Sequence, residues 1–388
     1  MRGMPPAPPA PTDPVAIAQA LIRCRSVTPA DAGALAIVEA VLSSLGFSCQ
    51  RLKFDDVENL YARLGTAGPN FCFAGHSDVV PPGDLGLWRF DPFAGEVANG
   101  VLHGRGAADM KGGIAAFIAA VARKREPGWT SKGSISLIIT GDEEAAAVNG
   151  TAKVLEWMKA HGEAIDHCLV GEPTSVVKTG DTIKIGRRGS MTARLSVKGT
   201  QGHVAYPKRA VNPIPILAEL VSRLSALTLD DGTAHFEAST LVFTTIDVGN
   251  PANNVIPAEA RATLNIRFND RHTPEGLQRL LEEIAASVGR DMGGMIVLDY
   301  QLSGVAFLTE PGPFTTLLSD AVAEVTGRRP EFSTTGGTSD ARFIRNYCPV
   351  AELGLVGVTM HKADECVTLD DLETLTRIYE AALKRYFA

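Results

Sequence analysis

Residues 70–78 read NFCFAGHSD, a short apolar run that ends abruptly in His76, Ser77 and Asp78. A run this short, with no polar alternation, suits a strand buried on both faces. The same shape recurs in ISLIITGDEE (135–144), HCLVGEPT (167–174) and AELGLVGVTMH (351–361). Between the first two lies DMKGGIAAFIAAVARK (109–124), whose spacing predicts an Ala-rich amphipathic helix with Asp109 as its N-cap. Buried strands alternating with helices predict an α/β domain built on a mostly parallel sheet.

On the N-terminal side, PVAIAQALIRCRSV (14–27) and DAGALAIVEAVLSSLG (31–46) carry helical spacing, with Gly46 as a stop. The opening MRGMPPAPPAPTDP is proline-rich and lacks the apolar stretch of a signal peptide, so residues 1–13 are expected to form a disordered extension. From about Ser190 the texture changes. SMTARLSVKG (190–199) reads as a strand, NPIPILAELVSRLSAL (212–227) as a helix, and STLVFTTIDVG (239–249) and AEARATLNIRF (258–268) as alternating strands. TPEGLQRLLEEIAASVG (273–289) is a helix opened by Thr273 and Pro274, and MIVLDYQLSG (295–304) is a strand. The order βαββαβ is that of a ferredoxin-like α+β unit. It interrupts the α/β pattern near Arg188 and Ser303, which predicts one domain from 14–188 and 303–388 and an inserted domain at 189–302. LDDLETLTRIYEAALKRYF (369–387) reads as an amphipathic helix packing on the first domain.

The bulk numbers agree with two domains, since 388 residues exceed what one hydrophobic core usually serves. A formal net charge of -7, with no long basic run, argues against nucleic acid as a partner. No apolar stretch is long enough to span a bilayer. Six scattered cysteines without a CxxC spacing fit reduced thiols in the cytoplasm and argue against a zinc–thiolate site.

Position carries the chemistry. His76 and Asp78, Glu143 and Glu144, Glu172, and His361 each follow one of the apolar runs, and Asp109 follows the turn GRGAA (104–108). Ligands of open α/β sheets bind at the carboxyl ends of the strands, so these residues are expected to converge. Two imidazoles and the carboxylates of Asp109, Glu144 and Glu172 suit two zinc ions, with Co2+ or Mn2+ as substitutes, if one carboxylate bridges. Asp109 is the expected bridge. Paired ions acidify a shared water and polarise a carbonyl, which is the chemistry of amide hydrolysis. Asp78, two residues from His76 on an extended chain, is expected to accept the other ring N–H of His76. Only one of Glu143 and Glu144 can readily face the ions; Glu144 is expected to be the ligand and Glu143 the general acid/base. Taken singly, HxD, DEE and GEP are ordinary core contacts, helix starts and turns. Their recurrence at one sheet edge makes the functional reading the stronger one.

GHSDVVP (75–81), GRGAADMKGG (104–113), TGDEE (140–144) and GEPT (171–174) resemble the motif set of the M20 family of di-zinc amidohydrolases and peptidases, over nearly the whole chain after the tail. The resemblance implies that His76, Asp109 and Glu172 hold one ion and His361, Asp109 and Glu144 the other. GRRGS (186–190), GHVAYP (202–207), NPI (212–214), NNVIP (253–257) and STTGGTSDARF (333–343) are similar to the branch that removes a succinyl group from a small tricarboxylate amide. Within the family the inserted domain forms the interface of a homodimer and a histidine matching His203 reaches the partner's site to stabilise the oxyanion. The resemblance also implies substrate contacts from Arg187, Tyr206, Asn253, Asn254, Arg267, Ser303, Gly337 and Thr338, with Lys184 and Arg188 adding positive charge. An M20 deacylase for another acyl-amino acid, such as acetylornithine, shares the same machinery. A non-catalytic binding protein of this fold would lack a ligand or the base, and all are present. A serine hydrolase is disfavoured by the absence of GxSxG.

Overall fold

The computed structural model describes residues 8–124 and 132–388. Its principal strands in chain order are β1 (Ser48–Phe54), β2 (Val57–Leu64), β3 (Asn70–His76), β4 (Ser134–Thr140), β5 (His167–Val170), β6 (Thr182–Lys184), β7 (Gly189–Lys198), β8 (Thr240–Asp247), β9 (Glu259–Phe268), β10 (Met295–Gly304), β11 (Glu331–Ser333) and β12 (Val350–Glu352). The helices are α1 (Pro14–Arg23), α2 (Ala34–Ser44), α3 (Lys111–Arg123), α4 (Thr151–Ala160), α5 (Pro213–Ser225), α6 (Pro274–Met292), α7 (Pro313–Thr326), α8 (Ala341–Ile344) and α9 (Leu369–Tyr386). The chain divides into two compact units, one of residues 1–185, 309–333 and 339–388 and one of residues 186–308 and 334–338. Among the described residues no helix is long and apolar enough to cross a membrane.

The first unit is an α/β structure on an eight-stranded sheet of order β1-β2-β4-β3-β5-β12-β6-β11. The four central strands β4, β3, β5 and β12 run parallel to one another. Antiparallel pairs enter through β1–β2, β2–β4 and β12–β6, so the sheet is mixed. Every residue of β3 and β4 is buried, as an unalternating apolar run requires. The helix after the GRGAA turn departs from expectation in two ways. Its N-cap is Met110, not Asp109, and no side chain caps it; the Asp109–Met110 peptide is cis. It is also not amphipathic: Lys111 through Val121 are all buried, because α3 is covered by α1 and α9 as well as by the sheet. Phe117 stacks on Phe73 of β3 with centroids 4.2 Å apart, and Tyr379 of α9 meets both rings edge-on. Residues 1–7 of the proline-rich extension lie outside the described residues. Residues 8–13 are placed: the Thr12 carbonyl accepts from Arg123 Nε at 2.9 Å, and the Asp13 carboxylate caps α1.

The second unit is the ferredoxin-like α+β element. Its sheet order is β8-β9-β7-β10, antiparallel throughout, with α5 and α6 on one face. Thr273 caps α6 by accepting from the Gly276 N–H, and Pro274 takes the first helical position. One core joins Leu195, Leu264 and Ile266 of the sheet to Leu220 of α5 and Leu281 of α6. The segment 334–338 returns to this unit and meets Arg187, whose Nη1 lies 3.4 Å from the Thr335 carbonyl.

Candidate metal centre

His76 is the last residue of β3, Glu143 and Glu144 follow β4 by a short turn, and Glu172 stands two residues past β5. Parallel neighbours end at the same edge, which is why residues so distant in sequence meet there. His361 reaches the group differently. The run 351–361 is not one strand: β12 stops at Glu352, and a loop pinned by the bridge between Ser175 and Val356 carries the chain on to His361. His361 itself has φ 61, a left-handed conformation rare outside glycine.

Two triads result, His76–Asp109–Glu172 and Asp109–Glu144–His361, each with ligand atoms within 4.8 Å of one another. Asp109 belongs to both. Its Oδ1 lies 3.1 Å from His76 Nε2 and its Oδ2 3.2 Å from His361 Nε2, so each oxygen faces one group. Glu172 Oε1 is 3.7 Å from His76 Nε2, and Glu144 is 3.2 Å from His361 Nε2. Five carboxylates crowd against two imidazoles, and Glu172 Oε1 is buried with no hydrogen-bond partner. Buried anionic oxygens without donors are what a pair of cations would satisfy. The donor set therefore fits two divalent ions.

Asp78 is placed close to His76 but does not hold it as expected. The ring Nδ1–H donates to the backbone carbonyl of Asp78 at 2.9 Å, while the carboxylate is 3.7 Å from that nitrogen. The carboxylate instead accepts from the backbone N–H groups of Glu143 and Glu144, at 3.3 and 3.1 Å. The carbonyl still fixes the ring with Nε2 facing Asp109, and the side chain positions the two glutamates. Asp142, the third acid of the turn, is turned away to accept from Val148 and Asn149.

The electrostatics follow from burial among opposite charges. Burial favours a neutral His76 ring, yet Asp109, Glu172, Glu143 and Asp78 together push it well above the ordinary value. Asp109 is held below the usual carboxylate range: burial opposes this, but its hydrogen bonds to His361 and His76 prevail. His361, hydrogen-bonded to Asp109 and Glu144, is pushed up to about 10. Burial pushes Glu143 up to about 8 and Glu172 well above the usual range.

Apart from Lys184, the remaining expected residues lie in the second unit. His203 is exposed; its Nδ1 accepts from the Ala205 N–H at 3.0 Å, and its ring meets that of Tyr206 at 5.8 Å. The loop bearing Asn253 and Asn254 joins this group through the Asn254 carbonyl, which accepts from the Val204 N–H. Arg267 lies on β9 opposite Ser190, half-buried, with Nε donating to Asn265. Ser303 is exposed near the end of β10, and Gly337 and Thr338 follow Gly336, against which Arg187 packs. Arg188 shares the Arg267 neighbourhood, its proximity holding the Arg267 guanidinium below its ordinary value after burial has done so. Lys184 is buried in β6 of the first unit and donates to Ser333. Sequence reasoning missed Arg105 and Glu365, an ion pair at 2.7 Å with side chains 2 and 0 % exposed. The signal available was an arginine and a glutamate close to the ligands Asp109 and His361.

Comparisons with known proteins agree with this geometry. The sequence profile of peptidase family M20/M25/M40 matches residues 72–385. Succinyl-diaminopimelate desuccinylase of Rhodospirillum centenum is 60% identical over 381 residues, covering 97% of this chain and 98% of that protein. The protein of the same name from Caulobacter vibrioides is 56% identical, with 97% and 96% covered. Among solved structures, a tripeptidase from Staphylococcus aureus superposes with a TM-score of 0.78 at 18% identity, covering 97% of this chain and 98% of that one. A dinuclear metal-binding M20 peptidase from Bacillus subtilis gives 0.71 at 16% identity, with 97% and 98% covered.

Proposed function

The chain belongs to peptidase family M20/M25/M40, and on that premise we propose that it hydrolyses N-succinyl-LL-2,6-diaminopimelate to succinate and LL-2,6-diaminopimelate. It is a hydrolase of lysine and diaminopimelate biosynthesis, acting on a small molecule. The observation that carries the reaction type is the carboxylate of Asp109, shared by two three-residue groups beside Glu143. The substrate rests on relatives 55–60% identical over nearly the full chain.

His76, Asp109 and Glu172 would hold one zinc ion and Asp109, Glu144 and His361 the other, with Co2+ or Mn2+ as substitutes. Bound there, the ions supply Lewis-acid polarisation of the scissile carbonyl and lower the pKa of a water. Glu143 is the general acid/base. Its carboxylate takes the proton of the attacking water and returns it to the leaving amine nitrogen. Asp78 holds Glu143 in place through its backbone N–H. His203, from the second subunit of a homodimer, donates to the oxyanion. Arg187 and Arg267 bind substrate carboxylates, Arg being suited to this bidentately, with Tyr206, Asn253, Asn254, Ser303, Gly337 and Thr338 completing the contacts. The second unit serves as the dimerisation domain. Six free thiols suit the reducing cytoplasm in which we place the protein.

Succinate release from N-succinyl-LL-2,6-diaminopimelate by zinc-loaded protein tests this, with N-acetylornithine in parallel. Chelator-sensitive cleavage of the succinyl compound alone supports the proposal. Cleavage of the acetyl compound alone would keep the two-metal chemistry and overturn the substrate.

A further inference from the structure

Glu365 is fully buried, and its carboxylate gathers four donors. Oε1 accepts from the backbone N–H groups of Ala108 and Asp109 at 2.9 and 3.1 Å. Oε2 accepts from the Gly106 N–H at 3.0 Å and from Arg105 Nη1 at 2.7 Å. The Glu365 carbonyl also accepts from the Gly104 N–H at 2.9 Å. The turn that carries Asp109 is thus wrapped around this one side chain.

Arg105 extends the link. Its Nη1 also donates to the Lys362 carbonyl at 3.2 Å, and its Nη2 reaches the carbonyls of Pro81 at 3.3 Å and His361 at 3.5 Å. The Trp88 ring covers the guanidinium, its centroid 5.2 Å from Cζ. The pair therefore touches three loops: the one that follows His76 and Asp78, the one that holds Asp109, and the one that holds His361. The last needs support, because a left-handed histidine persists only where its surroundings over-determine it. Neither Arg105 nor Glu365 belongs to either ligand triad.

We propose that Arg105 and Glu365 are positioning residues of the metal centre, a buried ion-paired clamp that sets Asp109 against His361 and His76 before any ion binds. The proposal rests on the di-metal reading above. Groups that orient ligands commonly change metal affinity or activity by about 10- to 100-fold when altered. Glu365 acts on the shared ligand, so it influences both ions. Arg105 grips the His361 loop, so it influences chiefly the ion held by His361 and Glu144.

Cobalt(II) titration of the full-length, metal-free protein, read from its d–d absorption bands with zinc competition, tests the clamp alongside unfolding curves. Glu365→Gln keeps the side-chain volume but replaces one acceptor with a donor that faces N–H groups. It is expected to bind both ions about 10- to 100-fold more weakly and to shift the bands. Arg105→Lys keeps the charge and loses the fork that reaches several carbonyls; it is expected to weaken one ion selectively. Should Glu365→Gln fail to fold, Arg105→Lys decides alone. Wild-type affinities and spectra in the folded variants, whatever their thermal stability, would overturn the clamp and leave the pair purely structural. A wild-type protein that binds fewer than two ions would instead overturn the di-metal reading.

Discussion

Alanine at Gly113 should damage this protein, although alanine in a helix normally helps. Gly113 sits in the first turn of α3, and a Cβ there would lie 2.5 Å from the carbonyl oxygen of Gly171. Ordinary contact begins at 3.4 Å, so the helix start and the Gly171–Glu172 peptide must separate by about 0.9 Å. The obstacle is backbone, which cannot rotate aside. Helix propensity favours alanine over glycine by at most about 1 kcal/mol. Overpacking of this kind costs about 1–3 kcal/mol. The balance is a loss of up to about 2 kcal/mol in the metal-free protein. The site suffers more, since Asp109 just precedes α3 and Glu172 follows Gly171, and metal–ligand distances tolerate only about 0.2 Å. Urea unfolding of the metal-free variant and zinc titration read the two effects separately. Gly289 in α6 is the control: its Cβ would meet only the Gly294 carbonyl, at 3.6 Å, so Gly289→Ala should be neutral or stabilising. A Gly113→Ala protein as stable as the parent, binding two ions with parental affinity, would refute the reasoning.

The other predictions concern the chemistry. Glu143→Ala should keep two bound metals and lose turnover by at least about 10²- to 10⁴-fold, the usual contribution of a general acid/base; near-normal turnover in a metal-loaded variant would remove Glu143 from that role. His203→Ala should slow turnover while metal content, measured by atomic absorption, stays unchanged; loss of metal would make it a ligand or a structural residue. Chelation should abolish activity, and added zinc should restore it. The metal-free protein should lose stability as pH rises from 4.5 toward 8. Folding holds the Glu143 proton up to about 8, above the ordinary 4.5, so over that window the folded state binds more protons than the unfolded one. Chemical denaturation across this range should show the decline, and Glu143→Gln should make it shallower; an unchanged slope would count against a half-buried, proton-holding Glu143.

Much of the site was legible because its residue types are costly to bury without purpose. An apolar run that stops in His76 and Asp78, or in Asp142, Glu143 and Glu144, marks both a central strand and the edge where it ends. The ferredoxin-like unit was equally readable, since period-2 strands and the Thr273–Pro274 helix start are local signals. The hairpin of β1 and β2 was not read, and with the antiparallel β12–β6 pair it makes the sheet mixed; strand partners are chosen by packing over distance, not by local pattern.

What the sequence by itself determined is the inventory: two imidazoles and the carboxylates of Asp109, Glu144 and Glu172, placed mostly at strand ends, with Glu143 beside a ligand. Strand ends and ligand types are properties of short segments, so short segments reveal them. Tertiary structure alone decided how the inventory is aimed. It turned the Asp78 carboxylate from His76 to the N–H groups of Glu143 and Glu144 and buried α3 on every side. It also brought Glu365 from 256 residues away to cradle the Asp109 N–H. The physical reason is that a buried polar group must find a partner wherever the fold supplies one, and the nearest donor in space is seldom the nearest in the chain.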